Sequence, residues 1–251
     1  MGRLKKALIT FAGVLFWLVV WQLLALKIDS KILLVSPVEV AKRLCSLVPT
    51  WEFWRSVLFS AGRILLGFAL GLSCGCVLAL AAGKIKAVRM LFSPLISAMK
   101  SIPVASFTIL ALIWIGSKDL SVLVSFLICV PIVTANMLEG VDSLDSKLKE
   151  MAKVFKIPVG RRFVGIYLSQ LLPYFRSASR LAIGLCWKSG VAAEVIGIPD
   201  GSIGEKLFES KVYLETADLF AWTLTVILLS WLCEKLFMLL VKLLQRRVER
   251  M

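Results

Sequence analysis

Long apolar runs separated by short polar and basic segments are the dominant pattern of this 251-residue chain. A helix needs about 20 apolar residues to cross a bilayer core of about 30 Å. Runs of that length recur along the sequence, so we predict an all-α, polytopic membrane protein that forms a single transmembrane domain over residues 1–251. The six predicted transmembrane helices cover residues 7–26, 57–82, 91–115, 120–137, 171–196 and 217–241. Lys100 and Pro103 interrupt the third run, so this span can be bent or can start late.

The net charge of +14 does not change this picture, because the basic residues flank the apolar runs. Short cytoplasmic loops of membrane proteins carry an excess of Lys and Arg. With six spans, both termini lie on one side, and that side holds sixteen Lys and Arg residues against eight on the other. We therefore expect both termini in the cytoplasm and no role in binding nucleic acid.

The residue inventory excludes several kinds of chemistry. The chain has six cysteines, mostly within apolar runs, and no histidine, so we expect no metal site and no His-based catalytic residues. It also lacks the phosphate-binding pattern GxxxxGK[ST]. We accordingly predict a protein that is not an enzyme and binds no cofactor of its own.

Both longer outer connections contain a helix signal. Ser36 and Pro37 read as an N-cap and a first helical residue, with Glu39 completing a capping box. The apolar face predicted for this short helix is Ala41, Leu44, Cys45 and Val48. In the last outer connection, the helical spacing involves Ile203, Leu207, Phe208 and Val212. We expect two short helices lying on the outer membrane surface.

Glycines recur every four positions in the second span, at Gly67, Gly71 and Gly75. Residues i and i+4 lie on one side of a helix, and small residues there let two helix backbones approach closely. This seam predicts tight helix packing, either within the subunit or for a helix that slides near a transport pathway.

Ionisable residues inside spans are costly and mark possible pathways. Lys188 and Glu194 are six residues apart, which places them about 240° apart around a helix, so they do not pair with each other. Lys188 either lines a path for anions or pairs with a carboxylate from another span. We include Lys100 as a further candidate pathway residue.

The inner connection at residues 142–170 predicts an amphipathic helix. Leu144, Leu148, Met151, Ala152 and Phe155 share one face. Pro158 disfavours helix at the residue before it, and Gly160 permits a turn. The apolar face can rest on lipid headgroups or dock into a groove on a partner protein.

The same loop resembles the cytoplasmic EAA loop of ABC importer permeases. The pattern appears as Glu150-Met151-Ala152, then Lys156, and runs on to Leu168 and Pro173. Met151 and Lys156 depart from the family's Ala and Gly. Further matches to the nitrate/sulfonate/taurine-type group are Ser36-Pro37, Ser60-x-x-Arg63, Arg180-Leu181-Ala182-x-Gly184, Trp187, Ala192-Ala193-Glu194 and Gly201-x-x-Gly204.

This resemblance implies a permease subunit in the bacterial plasma membrane that moves a small anionic or organic solute inward. ATP and Mg²⁺ would be bound by a separate ATPase subunit, coupled through Leu148, Glu150, Met151, Ala152, Phe155, Lys156 and Gly160. The implied partners are that ATPase, an extracytoplasmic substrate-binding protein, a second permease copy and membrane lipids. By the same resemblance, Glu194 belongs to an outer gate.

Three other functions remain open from the sequence. One is the transmembrane component of an energy-coupling-factor vitamin importer, which also has cytoplasmic coupling helices. Another is an ion-coupled secondary carrier, although such carriers often show inverted repeats and none is evident here. The third is a membrane scaffold without transport activity, which would leave the amphipathic inner helix unexplained.

Overall fold

The structure is a computed structural model and describes residues 3–28, 30, 32–145, 150, 151, 154, 155, 158, 160 and 163–248. Its architecture is all-α, as predicted, with no strand in these ranges. The α-helices are α1 (Arg3–Ile28), α2 (Pro37–Leu47), α3 (Trp51–Lys84), α4 (Lys86–Ser101), α5 (Val104–Ile115), α6 (Leu120–Asp142), α7 (Ser169–Gly197), α8 (Ile203–Val212) and α9 (Thr216–Val248). A six-residue π-helix, Phe163–Leu168, leads directly into α7.

The third predicted span is two helices rather than one. Helices α4 and α5 are bent by 105° relative to each other at the break between them. Ile102 has the extended angles φ −70° and ψ 126°, which is the conformation that a following proline favours. Pro103 also lacks the N–H that a continuous helix would need. The bend that Lys100 and Pro103 suggested is therefore present, and residues 91–115 are divided between two helices.

Helix α2 forms where the sequence predicted it, but it buries a different face. Ser36 is the N-cap, and its side chain accepts a hydrogen bond from the Glu39 N–H at 3.3 Å. The buried side is formed by Val40, with Leu44 and Leu47 packed nearby. Ala41 and Cys45 are exposed. The face is shifted because α2 packs against α9 and the beginning of α3, a contact that helical periodicity alone does not specify.

Helices α3 and α6 run parallel and pack closely along the glycine seam. A Cβ atom on Gly67 would lie 2.8 Å from the Cβ of Ser125, and one on Gly75 would lie 2.8 Å from that of Val133. Residue numbers rise together along both helices, which defines the parallel direction. The chain between α3 and α6 must therefore return to the end at which α3 began, and α4 and α5 make this return.

Helix α7 runs antiparallel to α6 over its whole length. Gly197 contacts Leu120 at one end, and Tyr174 contacts Gly140 at the other. Buried apolar residues of α3, α6 and α7 form the largest core cluster, which is centred on Trp187. Helix α9 packs against this cluster from the side, and helix α8 covers the end at which α3 begins.

By length and apolar composition, four helices (α1, α3, α6 and α9) can cross a membrane, and the number is five if the bent pair α4 and α5 is counted as one span. Helix α7 is long enough, but it carries four charged residues: Arg176, Arg180, Lys188 and Glu194. The structure thus confirms a polytopic helical protein, while the count of six spans stays a prediction on composition alone.

Candidate functional site

A fully buried carboxylate lies where α3, α7 and α8 meet. Glu194 belongs to the last turns of α7, and its side chain has no solvent exposure. The Ser60 hydroxyl of α3 donates a hydrogen bond of 2.6 Å to Glu194 Oε2. The Gly204 N–H of α8 donates to the same oxygen at 3.3 Å. One carboxylate thus connects three helices. Its hydrogen bonds offset much of the free-energy cost of burying it.

Ser60 connects the same helices a second time. Its Oγ accepts a hydrogen bond of 2.9 Å from the Ile203 N–H, at the beginning of α8. The first N–H groups of a helix have no partner within that helix. Ser60 and Glu194 therefore act together as an external cap for α8, in addition to the Ser202 side chain, which accepts from the Glu205 N–H.

Gly204 lies in direct contact with α7. A Cβ atom at this position would lie 2.6 Å from the backbone nitrogen of Val195 and would overlap the Glu194 side chain. Only glycine permits this approach without a backbone shift. Two segments that match the family pattern are therefore in contact with each other: Ala192-Ala193-Glu194 and Gly201-x-x-Gly204.

The second carboxylate oxygen of Glu194 is also buried. Oε1 has no hydrogen-bond partner among the described residues, and neither does the Ser121 hydroxyl of α6. A buried polar atom without a partner carries a free-energy penalty of about 1–3 kcal/mol. This part of the cluster is therefore less tightly held than the side that faces Ser60.

The outer ends of the helices are joined by ion pairs. Arg43 of α2 forms a bidentate pair with Asp218 of α9, with its Nη2 2.8 Å from Asp218 Oδ2. The hydrogen bond to Asp218 raises the pKa of Arg43. Arg63 of α3 pairs with Asp119, immediately before α6, at 2.7 Å. These pairs hold α2 and the beginning of α6 against the ends of the long helices.

Lys206 gives α8 a second point of attachment. Its ammonium lies 2.7 Å from Glu52 of α3 and 3.1 Å from Glu209 of α8. Burial by itself lowers the pKa of Lys206, but hydrogen bonds to Glu52 and Glu209 outweigh this effect, so the pKa is raised overall. The helix that covers this end is thus held by Glu194 on its buried side and by Lys206 at its edge.

The two candidate pathway lysines have different surroundings from Glu194. Lys188 is exposed on the side of α7 that faces away from the core, and Lys100 is exposed at the end of α4. Neither forms an ion pair with any residue that the structure describes. For Lys188, the alternative of a carboxylate partner from another span of this subunit finds no support in the described part of the chain.

The predicted coupling loop is described only in part. Leu148, Ala152 and Lys156 lie outside the described residues. Glu150, Met151, Phe155 and Gly160 are all exposed, and the Phe155 N–H donates to the Met151 carbonyl at 3.0 Å, which is one turn of helix. Phe155 is 72% exposed and Val154 77%. An exposed apolar turn of helix therefore lies in the connection between α6 and α7.

The structure brings Glu194 together with residues of the family pattern and leaves Lys188 and Lys100 apart from them. Sequence reasoning missed the pairing of Ser60 with Glu194. A serine inside an apolar run is an available signal, because its hydroxyl needs a partner there. It also missed the ion pair of Arg43 and Asp218, which are 175 residues apart.

These features define a multi-pass helical membrane protein with one capped end and an exposed apolar turn between α6 and α7. Residues 67–250 match the family described as the inner membrane component of binding-protein-dependent transport systems. The chain belongs to this family, and it is a permease subunit of an ABC importer in the inner membrane rather than an enzyme.

Three relatives illustrate the group. The chain is 26% identical over 205 residues to SsuC of Bacillus subtilis, named as an aliphatic sulfonates transport permease. This alignment covers 80% of the present chain and 74% of SsuC. It is 25% identical over 220 residues to the taurine transport permease TauC of Escherichia coli, covering 85% and 80%. It is 24% identical over 207 residues to the bicarbonate transport permease CmpB of Synechococcus elongatus, covering 77% and 73%.

Proposed function

We propose that this chain forms the membrane pathway through which a small anionic or organic solute moves inward, driven by ATP hydrolysis on a separate ATPase subunit. The observation that carries this proposal is the exposed turn at Met151–Phe155. Its apolar side chains lie on an inner loop and find no core of their own among the described residues. A short rigid helix in a partner's groove can transmit the partner's displacement to the transmembrane helices.

The packing directions support six crossings. Helices α3, α6 and α9 run one way, and α7 and the pair α4 and α5 run the other. The Thr216 hydroxyl at the beginning of α9 donates to the Ile32 carbonyl at 2.8 Å, so α1 ends near the point where α9 begins. The two termini then share the side that holds Lys84 and the inner loop. The excess of basic residues makes this side the cytoplasm.

The outer side offers a surface for a substrate-binding protein. Helices α2 and α8 lie there, fixed by the Arg43–Asp218 and Lys206–Glu52 pairs. The open groove between α2 and the beginning of α9 has a volume of about 570 Å³ and includes Glu39, Lys42 and Glu215. A groove lined by both apolar and charged side chains suits the docking of another folded protein.

The assembly that we propose contains two copies of this chain, two ATPase subunits that bind ATP and Mg²⁺, and one binding protein, surrounded by lipid. The relatives named above are described as permeases for aliphatic sulfonates, taurine and bicarbonate. We extend this class of small anions and organic solutes to the present chain. Glu194, which holds α8 in place, is the residue that we assign to the outer gate.

Co-expression with candidate ATPase subunits tests the central claim. The chain should co-purify with one ATPase. Reconstituted vesicles should take up solute only when ATP is present on the side of the membrane to which the ATPase is bound. The Glu150→Lys variant should insert normally and lose solute uptake, while Glu150→Gln serves as a milder control. Uptake at full rate in vesicles without any ATPase would instead identify an ion-coupled carrier.

Labelling with a membrane-impermeant maleimide tests the orientation. Asp200→Cys lies on the outer side and Lys84→Cys at the inner end of α3, and both positions are exposed. The first should react in intact cells and the second only after permeabilisation. Ser202 is unsuitable as a probe because it is fully buried. Labelling of both positions from the same side would refute the proposed topology.

A further inference from the structure

Most charged residues inside the helical bundle have a partner. Arg63 pairs with Asp119, Arg180 pairs with Glu234 at 2.8 Å, and Glu194 is hydrogen-bonded to Ser60 and Gly204. Arg176 donates a hydrogen bond of 3.1 Å to Gln245, and the Lys235 ammonium lies 5.7 Å from the centre of the Trp231 ring. Lys188 and Lys100 form no ion pair among the described residues. A charge that is not neutralised cannot face lipid at depth without a large cost.

Lys188 lies deep in its helix. By the helical rise it is about 13 Å from the outer end of α7 at Gly197 and about 25 Å from Leu171 near the inner end. Both distances exceed the reach of a lysine side chain, so snorkelling to a membrane surface does not account for it. The ammonium must meet water or another group within the bilayer.

The surface around Lys188 is open. Ser177, Leu181, Gly184, Lys188 and Ala192 project from one side of α7, which we name the Lys188 face. All are exposed or half-buried. A Cβ on Gly184 would meet no described atom within 4 Å, so packing within this subunit does not require this glycine.

Lys100 lies at a similar depth. Its neighbours Met99 and Ile102 line a small apolar cavity with Val124 and Ile128 of α6. Cys186, two residues before Lys188, contacts Ser125 on the same part of α6, through a 3.3 Å hydrogen bond to its carbonyl. Two positive charges therefore occur at one level of an otherwise apolar bundle. Their combined potential at this level attracts anions and repels cations.

We propose that the Lys188 face lines the aqueous pathway and that Lys188 selects small anions, with Lys100 adding to the positive potential at the same depth. In a dimer related by a two-fold axis, each copy contributes one Lys188 face. Two unneutralised lysines in such a confined pathway hold the passing anion by charge and by hydrogen bonds. This inference rests on the proposed function, because it assigns the selective residue within that pathway.

The test measures the electrostatic potential directly, without transport. The Ala192→Cys variant places a thiol on the Lys188 face, one turn from Lys188, in a chain where the exposed Cys45 is replaced by Cys45→Ser. The chain is co-expressed with its ATPase, and membranes are labelled from each side. Two thiol reagents are compared: anionic sulfonatoethyl methanethiosulfonate and cationic trimethylammonioethyl methanethiosulfonate. The labelling rate of the anionic reagent is divided by that of the cationic reagent, and this ratio is divided by the same ratio for free cysteine. The Cys45→Ser chain without the Ala192→Cys change is measured as the parent.

We expect the anionic reagent to be favoured, and Lys188→Gln to lower the ratio by about tenfold, since one charge is removed at close range in a medium of low effective dielectric constant. Lys188→Arg should preserve the ratio, and ethanesulfonate should slow labelling more than choline. Lys235→Gln is the matched control, because Lys235 is exposed on α9 with its ammonium 5.7 Å from the Trp231 ring. It should leave the ratio unchanged.

Two results would overturn this inference. One is a rate ratio that Lys188→Gln leaves unchanged. The other is a thiol in the Ala192→Cys variant that reacts from neither side, with or without ATP. Because the measurement needs no solute uptake, it is independent of the ATPase and uptake experiments above. A working importer without a charge effect would reject the role of Lys188 alone, whereas absence of ATPase binding with a clear charge effect would reject the importer assembly.

Discussion

Gly204 and Glu194 are ten residues apart in the chain and in direct contact in the fold, where the Gly204 N–H donates to the Glu194 carboxylate at 3.3 Å. The turn between α7 and α8 folds back so closely that a side chain at position 204 would overlap Glu194. The outer cap is thus part of the buried core rather than a solvated loop.

The first prediction concerns this contact. Gly204→Ala should destabilise the protein by about 1–3 kcal/mol, the usual cost of overpacking, because backbone atoms of α7 obstruct the new methyl group. Gly62→Ala is the matched control, since Gly62 is exposed on α3 and a Cβ there would meet no described atom within 4 Å. Thermal unfolding of the purified protein in detergent measures both. Equal melting temperatures for the two variants would contradict the packing seen here.

The second prediction separates Ser60 from Glu194. Ser60→Ala leaves the Ile203 N–H without its acceptor and removes one of the two donors to Glu194 Oε2, so we expect a loss of about 1–3 kcal/mol. Glu194→Leu removes the acceptor for two donors and should cost at least as much. In a double-mutant cycle with Glu194→Gln, the two changes should be coupled by about 1 kcal/mol, since the residues are in contact. Additive effects would show that the 2.6 Å bond contributes little.

The third prediction concerns the seam between α3 and α6. Gly71→Val should destabilise strongly and abolish assembly, because even its Cβ would lie 2.5 Å from that of Cys129. The cost should exceed the roughly 1–3 kcal/mol typical of a single overpacked methylene, as three carbons are added. Ser73→Val on the exposed side of the same helix is the control. Size-exclusion profiles of the detergent-solubilised proteins provide the readout.

The fourth prediction is a pH dependence at the outer surface. The folded-state pKa of Lys206 is raised above its ordinary value of 10.5. A raised pKa means that the ion pairs stabilise the fold fully below that ordinary value and lose their effect as the pH rises through the folded-state pKa. Lys206→Met should therefore lower the free energy of unfolding equally at about pH 6 and about pH 9, by no more than about 1 kcal/mol, as measured by thermal unfolding at the two pH values. A difference that vanishes at about pH 9 would contradict this assignment.

The fifth prediction concerns the inner turn. Phe155→Asp should leave the melting temperature of the isolated permease unchanged, because Phe155 is 72% exposed and packs on no described core residue. The same change should reduce ATPase co-purification by about tenfold or more, the effect expected for a central apolar anchor of an interface. Leu70→Asn, at an exposed position on α3, is a control for non-specific loss of an apolar surface residue. Unchanged ATPase binding by Phe155→Asp would place the docking surface elsewhere.

The sequence by itself determined the class of fold. Apolar runs of about 20 residues leave few options, because a backbone in lipid must satisfy its own hydrogen bonds and does so as a helix. The N-cap of α2 and the position of α8 were also readable: local chemistry set the N-cap at Ser36, and Ile203–Val212 is helical where its spacing predicted. The family pattern was readable as well, because the residues within each of its motifs are close together in the chain.

Only the tertiary structure decided which residues meet. The buried face of α2 depends on its contact with α9. Pro103 permits a bend after α4 but does not determine its angle of 105°. Glu194 and Lys188 look alike in sequence, as charges in one apolar span. Packing against α3 and α8 buries the first with hydrogen-bond partners, while the second lies on the open side of α7. The physical reason is that contacts between distant segments depend on how helices pack around one another, which the periodicity of a single helix does not contain.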